Sequence, residues 1–196
     1  MFRLTISGTA HQEWDHTGAS VPAGDCEQTV RSEAIRDVSF RTAHPLVVRF
    51  AGRVLAATTV RGLTGTVKLS GANTTTQICG SERTESIADC AQTRRTFKGG
   101  TIGVVGPRAG TIRLGPFRNV RLRTASCPRE PADVLEAPLG PIPGPLHLRV
   151  GTVTNPRIAR ITLTASASRR KTYGAPEAGT LEQRASWKVT LSRVRP

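Results

Sequence analysis

The chain has 196 residues, with 28 Lys or Arg against 14 Asp or Glu and a formal charge of +14, so an anionic partner is favoured over a basic one. Only 37% of residues are hydrophobic, and no apolar run approaches the ~20 residues that a helical membrane span needs. Abundant Thr, Ser, Val, Gly and Arg suit short strands and frequent turns, and no long window reads as a helix.

From Phe2 to Trp14 apolar and polar residues alternate, which predicts one long strand with Phe2, Leu4, Ile6 and Trp14 on its inner face and Gly8 as a bulge or close-packing point. A Gly/Pro loop at 18–24 leads to Cys26, and a hairpin is expected through Val30, Ile35, Val38 and Phe40. Leu46 to Phe50, Val54 to Val60 and Thr64 to Ser70 read as three further strands. The clearest hairpin joins Thr101–Val105 to Thr111–Leu114 through Gly106-Pro-Arg-Ala-Gly110, with Asn119–Thr124 continuing the sheet. Prolines then crowd residues 128–145, where missing N–H groups and fixed φ predict an extended connector with one helical turn at Pro131–Glu136. Three last strands are expected near Leu146–Thr154, Ile158–Ala167 and Ala185–Val194. The first and last strands each carry a tryptophan and an apolar face, so they should lie close together.

The four cysteines, Cys26, Cys79, Cys90 and Cys127, are even in number and lack the close pairing of zinc ligands. They predict two disulfides formed in an oxidising compartment, with Cys79–Cys90 and Cys26–Cys127 preferred among three connectivities. The chain opens on Met1-Phe-Arg-Leu4, which is no signal peptide, so it reads as a mature exported segment of the envelope or extracellular space.

The opening Leu4-Thr-Ile-Ser-Gly8, Trp14, the spaced cysteines and the closing Trp187-Lys-Val-Thr-Leu191 resemble uncharacterised exported β-rich proteins of high-GC Gram-positive bacteria. The resemblance implies export, and no activity or site residue.

Of the 28 basic residues 24 are Arg, a bias that GC-rich codons produce without selection for binding. Placement is more informative: residues 90–129 hold nine basic residues and no acid. Alternation sends Arg113, Arg121 and Arg123 to one sheet face, where three guanidiniums can fork to phosphates or carboxylates. Nucleic acid is disfavoured, because the few aromatic residues fall on core faces and leave no stacking platform. His11, Glu13 and His16 form the one metal-like cluster, but on a strand His16 points away from the other two, so no metal or other cofactor is expected. Asp15, Asp25, Glu27 and Asp37 match no calcium loop. Asn73-Thr-Thr75 fits the glycosylation acceptor pattern. No nucleophile elbow, zinc-protease or phosphate-loop motif occurs, so no catalytic residue is assigned.

The expected fold is a single domain, residues 1–196: an antiparallel β-sandwich of about ten strands with Greek-key or jelly-roll-like crossing, or alternatively a closed β-barrel. The expected function is non-catalytic binding of an anionic polysaccharide or envelope polymer. The alternatives are a capsid-like or surface-layer subunit and a glycan-active enzyme with converging carboxylates.

Overall fold

The computed structural model describes residues 1–122 and 130–194, with backbone alone at 91–93. Strands make up 68% of the chain and helices 5%, so the protein is all-β. The strands are β1 (Phe2–Thr17), β2 (Val21–Ala23), β3 (Cys26–Thr42), β4 (Leu46–Val48), β5 (Phe50–Ala51), β6 (Val54–Arg61), β7 (Leu63–Cys79), β8 (Glu82–Lys98), β9 (Thr101–Gly106), β10 (Thr111–Arg118), β11 (Leu146–His147), β12 (Arg160–Tyr173) and β13 (Ala178–Arg193), with short helices α1 (Ala132–Glu136) and α2 (Val150–Thr154). They form two antiparallel sheets. The large one runs β12-β13-β1-β3-β7-β8, with β2 beside β3 and β4 beside β1, and the small one runs β11-β10-β9-β6-β5. As expected, the first and last strands meet: β1 and β13 pair from Phe2↔Arg193 to Thr17↔Ala178.

The core lies between the sheets at one end of the large one. Period-two burial puts Phe2, Leu4, Ile6, Val38, Phe40, Val67, Trp187, Val189 and Leu191 inward against Ile102, Val104, Ile112 and Leu114 of the small sheet. One inward row reads Trp187, Gly8, Phe40, Gly65, Phe97 across five strands. A Cβ on Gly8 would lie 2.6 Å from the Phe40 ring, and one on Gly65 would lie 2.7 Å from the Phe97 ring. The glycines therefore make room for the rings beside them. Phe117 of β10 stacks on Trp187 at 5.3 Å and joins the two layers.

Farther along the same face the Pro-rich connector replaces the small sheet as the covering layer. Gln12 donates to the Ala137 carbonyl (2.8 Å), Trp187 Nε1 to the Pro141 carbonyl (3.0 Å) and Arg36 to the Val134 carbonyl (2.9 Å). Beneath it Trp14, Ala34, Leu69, Val134, Tyr173 and Leu181 make a second apolar cluster. The two tryptophans of the terminal strands thus serve different clusters.

Several expectations are corrected. Thirteen strands are present among the described residues, and the sheets do not close into a barrel. In the large sheet β12 pairs β13, β1 pairs β3 and β7 pairs β8, and the last strand, β13, lies beside the first. Cys26 pairs with Cys79, in place of the expected Cys79–Cys90 and Cys26–Cys127. Register explains the pairing: β3 and β7 run side by side with Glu27 opposite Ile78, which brings Cys26 to Cys79, whereas the β7-β8 hairpin carries Cys90 to Gly71. No described cysteine is a free thiol, and Cys127 lies outside the described residues. Residues 119–122 are not a strand, because Asn119 takes φ 56° and turns the chain out of β10. The strand expected over Leu146–Thr154 is two residues of β11 followed by α2. Asn73 is 4% exposed on the inner face, so no glycan can be attached to it in the folded protein.

Candidate functional site

The outer face of the large sheet brings many polar groups together. Because side chains alternate and six strands are in register, the residues between the aromatic and glycine positions line up across the sheet. One row is made only of hydroxyls: Ser166, Ser186, Thr9, Ser39, Thr66 and Thr96, each opposite the next. The Ser39 and Thr66 hydroxyls hydrogen-bond at 2.8 Å. Two residues along on one side the row reads Ser168, Arg184, His11, Asp37, Lys68, Arg94, and on the other Thr164, Lys188, Ser7, Arg41, Thr64, Lys98. The hydroxyl row therefore runs between two rows holding six cations.

Most of the hydroxyl row, with Arg184, His11, Asp37, Lys68 and Arg94, lines a shallow trough of about 810 Å³ that spans β12 to β8, and Arg41 and Lys98 stand beside it in the flanking row. It continues past Thr9, Ser166 and Ser186 into a second hollow of about 620 Å³ beside Lys188 and Ser7. The acid within it, Asp37, accepts a hydrogen bond from His11 Nδ1 (2.7 Å). Arg184 touches Glu182 at 3.2 Å with 72% of its side chain exposed. The positive charge is thus largely uncompensated and faces solvent.

Farther along, the face turns acidic at Glu13, Asp15, Glu33 and Glu182 around a separate hollow. Arg31 binds Asp15 through two nitrogens, both at 2.8 Å, and reaches Glu33 at 2.7 Å. That hydrogen bonding holds the Asp15 carboxyl below the usual carboxylate range, against the opposing effect of burial. Arg31 offsets part of the acidic charge at this end.

The residues singled out from sequence fall elsewhere. Arg113 stands exposed on β10, opposite Val105 in the small sheet. Arg121 is exposed in the irregular segment after β10, and Arg123 lies outside the described residues. His11 and Glu13 share the outer face at 3.9 Å, while His16 packs edge-on against Tyr173 on the inner face. Among the described residues no three metal-ligating groups converge. Arg94 and Lys98 do come from the basic stretch flagged in the sequence, but as members of β8, a strand the sequence did not reveal.

Fold and site together define a two-layer antiparallel β-protein with a cationic, hydroxyl-lined trough across its large sheet. No family model, curated protein or solved structure matches the chain.

Proposed function

We propose that this chain is a non-catalytic module of the cell envelope or extracellular space that holds an acidic polymer in the trough. The observation that carries this reading is the strand register, which sets six hydroxyls between six cations on one solvent-facing surface. Exposed hydroxyls and cations offer many weak contacts along a chain and no buried, polarised group for chemistry. Codon bias accounts poorly for it: three of the four lysines in an Arg-dominated chain, Lys68, Lys98 and Lys188, stand in these two rows. No Phe, Tyr or Trp lines the larger hollow among the described residues, and Phe40 and Trp187 beside the smaller one are buried in the core, which argues against stacked nucleobases. The Cys26–Cys79 disulfide supports an oxidising compartment.

The test is binding of polygalacturonate, poly(glycerol phosphate) and neutral dextran by wild type, by a variant with Arg41, Lys68, Arg94 and Lys98 all changed to Ser, and by one with Arg113, Arg121 and Arg123 changed to Ser. Wild type should bind the two polyanions and not dextran, with affinity falling as salt screens the charges. The four-site variant should lose about tenfold or more, each exposed ion pair contributing up to about 1 kcal/mol. Salt-insensitive binding, or full retention by that variant, rejects the trough. Loss confined to the Arg113, Arg121, Arg123 variant moves the site to the small sheet.

A further inference from the structure

The placement of the six cations deepens the polymer-binding proposal, and the choice of ligand rests on that proposal. The cations fall into three pairs, each made of residues two positions either side of a hydroxyl in the row: Arg184 and Lys188 around Ser186, Arg41 and Lys68 around the Ser39–Thr66 pair, and Arg94 and Lys98 around Thr96. Within a pair the backbones are about 13 Å apart, and a long side chain reaches across half of that, so each pair can close on one anion seated over the hydroxyls. The middle pair is centred two and a half strand spacings, about 12 Å, from Arg184 and Lys188 and one and a half, about 7 Å, from Arg94 and Lys98, intervals that the long side chains can even out to about 10 Å. Between the first and second stations the face carries Thr9, with no cation beside it, and Asp37 stands in the Arg184–Lys68 row. An anion held there would meet a carboxylate.

We infer that the ligand is an unbranched acidic polysaccharide with a carboxylate on every second sugar, lying across the strands. Its charged sugars sit at the three cation pairs and its neutral sugars over the intervening hydroxyls. A polymer charged on every unit would leave a charge opposite Thr9 and Asp37 in the wide gap between the first two pairs. Lysine supplies half of the six cations, and as a flexible point charge it tolerates the varied angles of carboxylates along a twisting glycan. The trough thus reads charge spacing more than charge density.

The experiment titrates the whole protein with size-defined hyaluronate fragments, in which uronate and neutral sugars alternate, with galacturonate oligomers of equal carboxylate number, and with poly(glycerol phosphate). Hyaluronate affinity should climb until three carboxylates are present and then level off. The three-carboxylate fragment should bind about fivefold more tightly than the galacturonate trimer, the scale of one exposed ion pair. Replacing Arg184 and Lys188 with Ser should move the plateau from three carboxylates to two. Equal affinity per charge across all three polymers, or hyaluronate affinity that keeps rising beyond three charges, overturns the spacing rule and leaves the trough standing as a general polyanion site. Failure of wild type to bind any of the polyanions removes both.

Discussion

Arg36 is the residue whose placement most departs from a simple β-protein, since it occupies an inward position and is 1% exposed. Its guanidinium donates to Gln12 Oε1 (2.7 Å), to Glu130 Oε2 (2.7 Å) and to the Val134 carbonyl, and lies 5.9 Å from the centre of the Trp14 ring. Burial lowers its pKa, opposed by the Glu130 charge and hydrogen bond. Arg36→Ala strands a carboxylate that is 6% exposed, so it should cost about 3–5 kcal/mol in urea unfolding. Arg36→Ala combined with Glu130→Gln should cost less than the sum of the two. Asp133 plays the matching part on the connector, accepting from Lys171, Arg169 (2.7 Å) and Tyr173 (3.2 Å). The Lys171 hydrogen bond lowers its pKa most; burial opposes, and the charges of Lys171 and Arg169 and the Tyr173 hydroxyl add to the lowering. A carboxyl with a depressed native pKa stabilises the fold above its unfolded value, near 3.8, and loses that contribution as pH falls through the native value. Wild type should therefore exceed Asp133→Asn by about 2 kcal/mol at pH 6, and the two should converge toward pH 2. Thermal melts of both proteins across that range check the sign.

At the scale of elements, the Cys26–Cys79 bond closes a separation of 53 residues between β3 and β7. In the chain-entropy model such a loop is worth about 4 kcal/mol, so replacing both cysteines with Ser should lower stability by up to that amount. Equal denaturation midpoints for the two proteins would reject it. Period-two alternation made β1, β9, β10, β12 and β13 legible, because each buries one face and wets the other. It fails for β8, whose residues 82–89 are all exposed, so neither parity carries an apolar signal. The far half of β7 escaped for the same reason. The trough was illegible for a different cause: its rows exist only once six strands from distant parts of the chain are in register, and β8 supplies two of the cations. The buried polar set was the better hidden opportunity. Gln12, Arg36 and Gln183 all stand at inward parity among apolar neighbours, a break in the alternation that by itself flags buried polar partners.

Over the whole molecule, strands of up to 17 residues extend past the layers that cover them. One end of the large sheet lies under the small sheet and its middle under the connector. At the other end, residues 26–31, 74–79 and 82–89 are half-buried or exposed, with Ile78 and Ile87 45% and 71% accessible. Backbone hydrogen bonding is the same at both ends, so any difference in local stability must come from the buried layer. β7 allows a controlled comparison, because it pairs with β3 and β8 along nearly its whole length. The amides of Gly65–Leu69 lie behind the Phe40, Phe97 and Val67 core, whereas those of Thr74–Ile78 have little apolar cover. Native-state hydrogen exchange should show the second group opening about 2–3 kcal/mol more easily, roughly 100-fold faster. Replacing Cys26 and Cys79 with Ser should widen that gap by accelerating Thr74–Ile78 and leaving Gly65–Leu69 unchanged, since the bond ties β3 to β7 only at the uncovered end. Identical exchange in the two groups would mean that β7 opens as one unit, and that hydrogen bonding along the sheet, not the layers packed on it, sets its stability. The trough sits over the covered half, so on the layered view an acidic polymer meets a face already held flat by the aromatic and glycine row beneath it, and little of the binding energy is spent on ordering the protein.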